Sequence, residues 1–251
     1  MKFNFTTDIN TSASPRNVYV KYAKIDWNTD FGKVVIGLQG MNMFGVQEKT
    51  WGYRSVDKSA MDRFGFSHSA DLGLGYYRSF GSNLNVSALI TNGAGYKHAE
   101  NDSYKKISVL AYLGESRLDK NPGWNGGIST SHEPQLIGTD STNKVTTLGL
   151  FGGWSSEVIR VGGEFATQTH AFNGMGSESF VYLYGNMKMG KLDVLGRLDQ
   201  YTVGNVSTSY MTDGIAVQPE PGFKVVPVIR YEKPDLGNSV MAYGLTFQLA
   251  Y

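Results

Sequence analysis

The stretch GMNMFGVQEKTWGYRSVDKSAMDRFGFSHSADLGLG opens at Gly40 and concentrates ionic side chains among aromatic rings. Glu48, Lys49, Arg54, Asp57, Lys58, Asp62 and Arg63 are interleaved with Trp51, Tyr53, Phe64 and Phe66. Charged side chains around a constriction are how a pore sorts ions. A connection this long inside a compact fold is usually functional. Residues 40–67 are therefore the candidate constriction loop, folded inward so that Lys49, Arg54, Lys58 and Arg63 meet passing solutes. The competing reading is a solvated surface cap. SVDKSAMDR can form a helical turn, with Ser55 or Asp57 near its start.

Other chemistry has thinner support. The histidines are His68, His98, His132 and His170, with Ser129, Ser131 and Thr169 nearby. No nucleophile motif surrounds them, as a Ser–His–Asp arrangement would require. His132 beside Glu133 lacks the spacing of a zinc site, so neither a catalytic residue nor a metal ligand is assigned. The chain has no Cys, which excludes disulfides and thiolate chemistry. Gly73 and Gly75 lie within a strand pattern with no helix after them, so they form no phosphate loop. No cofactor is implied. The net charge of +1 and the lack of a basic stretch give no footing for nucleic acid.

The elements that must carry the loop read as strands. The pattern has period two over KVVIGLQ (33–39), LNVSALITN (84–92), VIRVGGEFATQ (158–168) and LDVLGRLDQYTV (192–203). Further strands are expected at 2–10, 16–27, 69–80, 104–115, 124–131, 144–154, 178–189, 207–218, 223–233 and 239–251, fourteen in all. The strand at 16–27 fits poorly, because Lys21 shares a face with Ala23, Ile25 and Trp27.

Charged residues make up only 18% of the chain, yet apolar residues are only 41%. Alternating strands that face lipid on one side and water on the other produce this combination. No run approaches the ~18 apolar residues of a membrane helix. Most of the strands also suit a tilted bilayer crossing of about 9–11 residues better than the soluble mode near 5–6. Tight turns near 28–32, 81–83, 155–157, 190–191 and 219–222, with a slightly longer one at 116–123, alternate with excursions at 40–68, 93–103, 132–143 and 169–177. Trp27, Phe31, Tyr77, Phe80, Trp124, Trp154 and Phe223 flank the tight turns, where amphipathic rings mark a membrane boundary.

The expectation is an all-β chain: one antiparallel transmembrane β-barrel domain over 1–251, of about fourteen strands (12–16), with short periplasmic turns and longer extracellular loops. Such a barrel is too wide to be filled by its own wall. The inward faces carry Lys33, Arg160, Lys188, Arg197, Lys224 and Arg230 against Asp71, Glu164, Asp193, Asp199 and Glu232, so neither sign dominates. The start, MKFNFTTDIN, already alternates and has no apolar signal core. Either a signal has been removed ahead of Met1 or the chain begins inside a longer reading frame.

Two resemblances sharpen the picture. GLTFQLAY resembles the C-terminal signal of outer-membrane proteins, through Gly244, Phe247, Leu249 and Tyr251, where the usual last residue is Phe. It implies recognition by the barrel-assembly machinery. NVYVKYAKIDW, the stretch from GKVVIGLQ through the candidate loop, NLNVSALITNGAGY and GFKVVPVIRYEKPD together resemble bacterial phosphate-selective (polyphosphate/anion) porins. That family implies a 16-stranded, usually trimeric barrel in the outer membrane of a Gram-negative bacterium, with a Lys/Arg ladder in its channel. This chain has the balanced charge noted above in place of the ladder, and about two strands fewer, at the N-terminal side. The function expected is passive diffusion of small hydrophilic solutes or inorganic anions such as phosphate, by a homotrimer seated in outer-membrane lipid. A hydrophobic-solute transporter of the fatty-acid type is the alternative within barrels. A soluble β-sandwich binding module is the alternative outside them.

Overall fold

The computed structural model describes residues 1–10, 17–100, 102–137, 141–170 and 176–249. They form a single antiparallel sheet of 14 strands, ordered as in the sequence. The strands are β1 (Lys2–Asn10), β2 (Asn17–Thr29), β3 (Gly32–Gly40), β4 (Ala70–Phe80), β5 (Leu84–Thr91), β6 (Lys106–Gly114) and β7 (Gly123–Ile137). They continue as β8 (Ser141–Ser155), β9 (Ile159–His170), β10 (Glu178–Met189), β11 (Leu192–Val203), β12 (Val206–Glu220), β13 (Phe223–Pro234) and β14 (Val240–Leu249). Among the described residues β1 and β14 are the sheet's edges. Two short helices, α1 (Gly45–Trp51) and α2 (Ala60–Arg63), lie between β3 and β4. No helix among the described residues is long and apolar enough to cross a membrane.

The period-two pattern sorts side chains as the alternation requires. Ile159, Val161, Phe165, Leu245 and Phe247 are 39%, 44%, 43%, 56% and 61% exposed and form part of an outer apolar belt. On the opposite face of the same strands, Arg160, Glu164 and Ala166 are buried. An apolar exterior around a polar interior inverts the soluble arrangement, and hydrocarbon is the medium that stabilises it. Trp124 and Trp154 are register partners at the tight-turn end. Gly190, at φ +65°, makes the β10–β11 turn in a conformation that other L-residues adopt only with strain.

The misfit of the second strand has a local cause. Thr6 pairs with Tyr22 but Thr7 pairs with Val20, leaving Lys21 as the extra residue of a β-bulge. The bulge shifts the phase, so Val18 and Val20 join Ile25 and Trp27 on the exposed face. The Lys21 Nζ lies 5.5 Å over the Tyr96 ring.

Two expectations about connections change. The excursion expected at 132–143 is mostly strand, because β7 and β8 pair continuously from Gly123↔Ser155 to Ile137↔Ser141. His132 and Glu133 therefore belong to a strand, not to a loop. In the long connection, the first helix is GVQEKTW, and the second begins at Ala60, later than the expected helical turn. The last strand is described to Leu249, so Tyr251 of the C-terminal signal lies outside the described residues.

Candidate functional site

Residues 41–69 build the site from an amphipathic design. Met43, Phe44, Trp51, Tyr53, Val56, Ala60, Met61 and Phe66 are buried in one apolar cluster. The wall's share of that cluster comes from inward positions of β9 to β13, including Phe180, Tyr182, Tyr184, Leu195, Val226 and Val228. Trp51 meets Tyr53 and Tyr184 edge-on, at 5.6 and 5.4 Å between centroids, and Phe64 stacks on Tyr201 at 4.4 Å. The interior is therefore not wet throughout: one wall is sealed by its own dry core.

Polar contacts pin the connection at defined places. Tyr53 donates to Asp193 at 2.6 Å, and Gln47 donates to Glu164 at 3.1 Å. Three wall arginines donate to backbone carbonyls of the connection. Arg160 reaches Trp51 at 3.0 Å, Arg230 reaches Val56 at 2.6 Å, and Arg197 reaches Lys58. On the other side, Asn125 donates to Thr50 at 2.9 Å and Asn42 to Ser87 at 3.1 Å.

The ionic residues divide into two groups. Arg54 pairs with Glu48 and with Asp62 (3.0 Å), and Lys58 lies 3.5 Å from Asp62. These side chains keep partial contact with water. Arg63 is held by Asp57 at 2.6 Å and reaches Asp199 at 3.4 Å, on the packed side. Lys49 is exposed and has no ion pair among the described residues. Partial burial pushes the Glu48 carboxyl up, while Arg54 pulls it back. The same desolvation, with Arg117 nearby, pushes the Lys49 ammonium down.

The remaining inward residues fall at different depths. Lys33 sits 4.6 Å over the Tyr77 ring, beside a cavity of about 720 Å³ that Asn42, Lys49 and Tyr112 also line. Across the interior, Lys24 and Asp26 pair at 3.0 Å, and Asn4 donates to Asp26 at 2.7 Å. Asp71 is buried and accepts from the Gly93 amide at 2.5 Å, which ties down the connection after β5. Lys224 lies 3.9 Å from Asp193. Lys188 is exposed near the tight-turn end, and Glu232 is exposed at the far end of β13. Gly244 faces inward near Arg230, while Phe247 and Leu249 face outward.

The histidines do not converge. His68 and His98 line a cavity of about 440 Å³ at the long-loop end. His132 contacts Thr146 at 3.0 Å on the outer face, and His170 lies 3.7 Å from Glu178. Sequence reasoning missed Gln47, Tyr53, Phe180, Tyr182 and Tyr184 as loop-holding residues. The run FVYLY carries a signal for the last three, since three rings alternate there on the inward face.

Arg197 shows how much one pin holds. It is 1% exposed and donates to both Asp199 carboxylate oxygens, at 3.0 and 2.8 Å, with Tyr182 4.3 Å beneath its guanidinium. Arg197→Met leaves Asp199 buried with Arg63 alone. It is expected to cost about 3–5 kcal/mol in denaturant unfolding of the folded barrel. Adding Asp199→Asn should restore part of that loss, and additive losses would refute the pairing.

Comparison with known proteins places this fold. No family model matches the chain, and no curated protein matches it either. Among solved structures, a loop-deletion mutant of OmpT, an outer-membrane protein of Vibrio cholerae, matches with TM-score 0.69 and 13% identity, over 98% of this chain and 84% of that one. A porin matches with TM-score 0.60 and 14% identity, over 97% and 90%. The trimer form of the Vibrio cholerae OmpT matches with TM-score 0.65 and 11% identity, over 98% and 86%. The chain has the fold of outer-membrane β-barrel proteins.

Proposed function

We propose that this protein is an outer-membrane porin, a passive diffusion channel for small hydrophilic solutes and ions. The observation that carries the reading is the inverted polarity of the wall: apolar side chains outside, charged and hydroxyl-bearing side chains inside. The solute path runs between the wet side of the 41–69 connection, with Glu48, Lys49, Arg54 and Lys58, and the wall of β1 to β3. The packed side, against β9 to β13, carries no flow. A homotrimer is the assembly proposed, in keeping with the trimeric structure among its fold neighbours.

A transporter of hydrophobic solutes is less well supported. It needs an apolar pocket in the interior, whereas the apolar surface there is covered by the connection's own side chains. A dry β-sandwich centre is excluded by the exposed belt.

Reconstitution in planar bilayers under a KCl gradient tests the channel. Discrete conductance steps with weak ion selectivity are expected. Replacing Lys49, Arg54, Lys58 and Arg63 together by Ala should shift the reversal potential toward cations, because Glu48 and Asp62 then face the path without counter-charges. Arg54 and Lys58 should account for more of the shift than Arg63, which is turned to the packed side. An unchanged reversal potential would show that the connection does not line the constriction.

A further inference from the structure

The wet path has a second structured side at its long-loop end. Residues 92–97, which follow β5, are bonded down onto the start of β4. Asn92 donates its amide to the Leu72 carbonyl at 2.9 Å, and Tyr96 donates its amide to the Ala70 carbonyl at 3.1 Å. Between them the Gly93 amide reaches the inward Asp71 carboxylate at 2.5 Å. Gly95 bends the segment at φ +74°, and a Cβ there would lie 2.7 Å from the His68 ring. Only glycine lets the backbone lie this low.

These anchors send the Tyr96 side chain across the inner wall. Its hydroxyl donates to the Asp8 carboxylate on β1, three places along the sheet from the β4 residue that holds its amide. Lys97 lies 3.9 Å from the same carboxylate. The Tyr96 ring has the Lys97 Nζ 5.3 Å and the Lys21 Nζ 5.5 Å from its centre. Lys21 reaches the ring because it is the bulge residue of β2. A regular ladder would put it with Ala23 and Ile25 on the outer face. The cluster faces the ionic side of the 41–69 connection: Lys21 acts on the Glu48 carboxyl, and Asp62 acts on the Tyr96 phenol. A solute on the wet path therefore meets a partly exposed ring that is held by a bond across the wall.

We propose that Tyr96, latched on Asp8, is a specificity-determining residue of the channel: with Lys21 it forms a second constriction at the long-loop mouth and sets the size of hydrophilic solute admitted. The inference rests on the channel reading and is separate from the charge selection assigned to the 41–69 connection.

Single-channel recording of the full chain, with swelling of proteoliposomes in neutral sugars of increasing size, tests it. Tyr96→Ala removes the ring and should raise conductance and admit larger sugars. Traces should step between a narrow and a wide level. Tyr96→Phe and Asp8→Asn leave the ring in place but weaken the latch. Each should multiply the ratio of wide to narrow dwell time about tenfold, the factor carried by a hydrogen bond to a charged group. The double variant should fall far short of the product of the two, because both changes break one bond. The chain has no Cys, so Asp8→Cys with Lys97→Cys supplies a unique thiol pair that keeps the ring. A reversible thiol cross-linker should fix the narrow level, and reductant should release it. Heat-modifiable gel migration confirms that each variant is folded. Unchanged conductance and sugar cutoff in Tyr96→Ala, unchanged dwell ratios in the latch variants, or a cross-link without effect overturns the constriction alone. No conductance from the unaltered chain overturns the channel reading and the constriction with it.

Discussion

Trp51→Ala is expected to free the inward connection from its wall and to raise single-channel conductance. Trp51 is 1% exposed, packs on Tyr53 and Tyr184, and donates its indole N–H to the Asp57 carbonyl at 2.9 Å. Truncating a buried Trp to Ala typically costs about 3–5 kcal/mol. Here that loss falls on the docking of one segment, because the thirteen strand pairings that hold the wall do not involve Trp51. The barrel should remain heat-modifiable on gels while the connection loosens. Trypsin gives an independent reading: Lys49, Arg54, Lys58 and Arg63 are cleavage points that docking protects and release exposes. A variant that stays trypsin-resistant with unchanged conductance would mean that the polar pins, not the aromatic packing, hold the segment.

Leu183→Arg should destabilise the protein in lipid vesicles by about 2–4 kcal/mol, the penalty for a cationic side chain at the bilayer midplane of a barrel. Leu183 lies near the middle of β10, faces outward and is 56% exposed. On a soluble protein the same exposed substitution would fall within about 0.5 kcal/mol of neutral. The two outcomes are far enough apart to decide which medium the belt meets. Leu192→Arg, at the start of β11 by the tight turn, should cost only about 0–1 kcal/mol. The converse change is available at Asp213, which is exposed on the same face at mid-height between Gly196 and Ile229. Asp213→Leu should stabilise the barrel in vesicles. Urea midpoints measured at all three positions would map the depth profile, and a flat profile would mean that the belt is not in hydrocarbon.

The wall could be read in the sequence because its physics is local. Each side chain of a strand goes to one of two media, and neighbours at i and i+2 share the choice. KVVIGLQ, VIRVGGEF and LDVLGRLD therefore declare both the strand and its outer face. The fourteen strands and the outward Leu245 and Phe247 follow from that alternation. The second strand was legible only in part, because a bulge is set by its partner's register, and nothing in VKYAKIDW says that Thr6 and Thr7 straddle Lys21.

The interior divided differently. The sequence by itself determines which side of the sheet Arg160, Glu164, Arg197, Asp199 and Arg230 occupy, because each alternates with outward apolar neighbours. It did not determine what they meet there. Tertiary structure decided that one wall is dry, that its arginines hold backbone carbonyls of the connection, and that Arg63 is paired against that wall while Lys49 is exposed without an ion pair among the described residues. The reason is distance along the chain. Gln47 finds Glu164, Tyr53 finds Asp193 and Arg197 finds Lys58 across separations of more than a hundred residues. Alternation tells a side chain which way to point, and only the closed packing of far segments tells it whether water or protein is waiting.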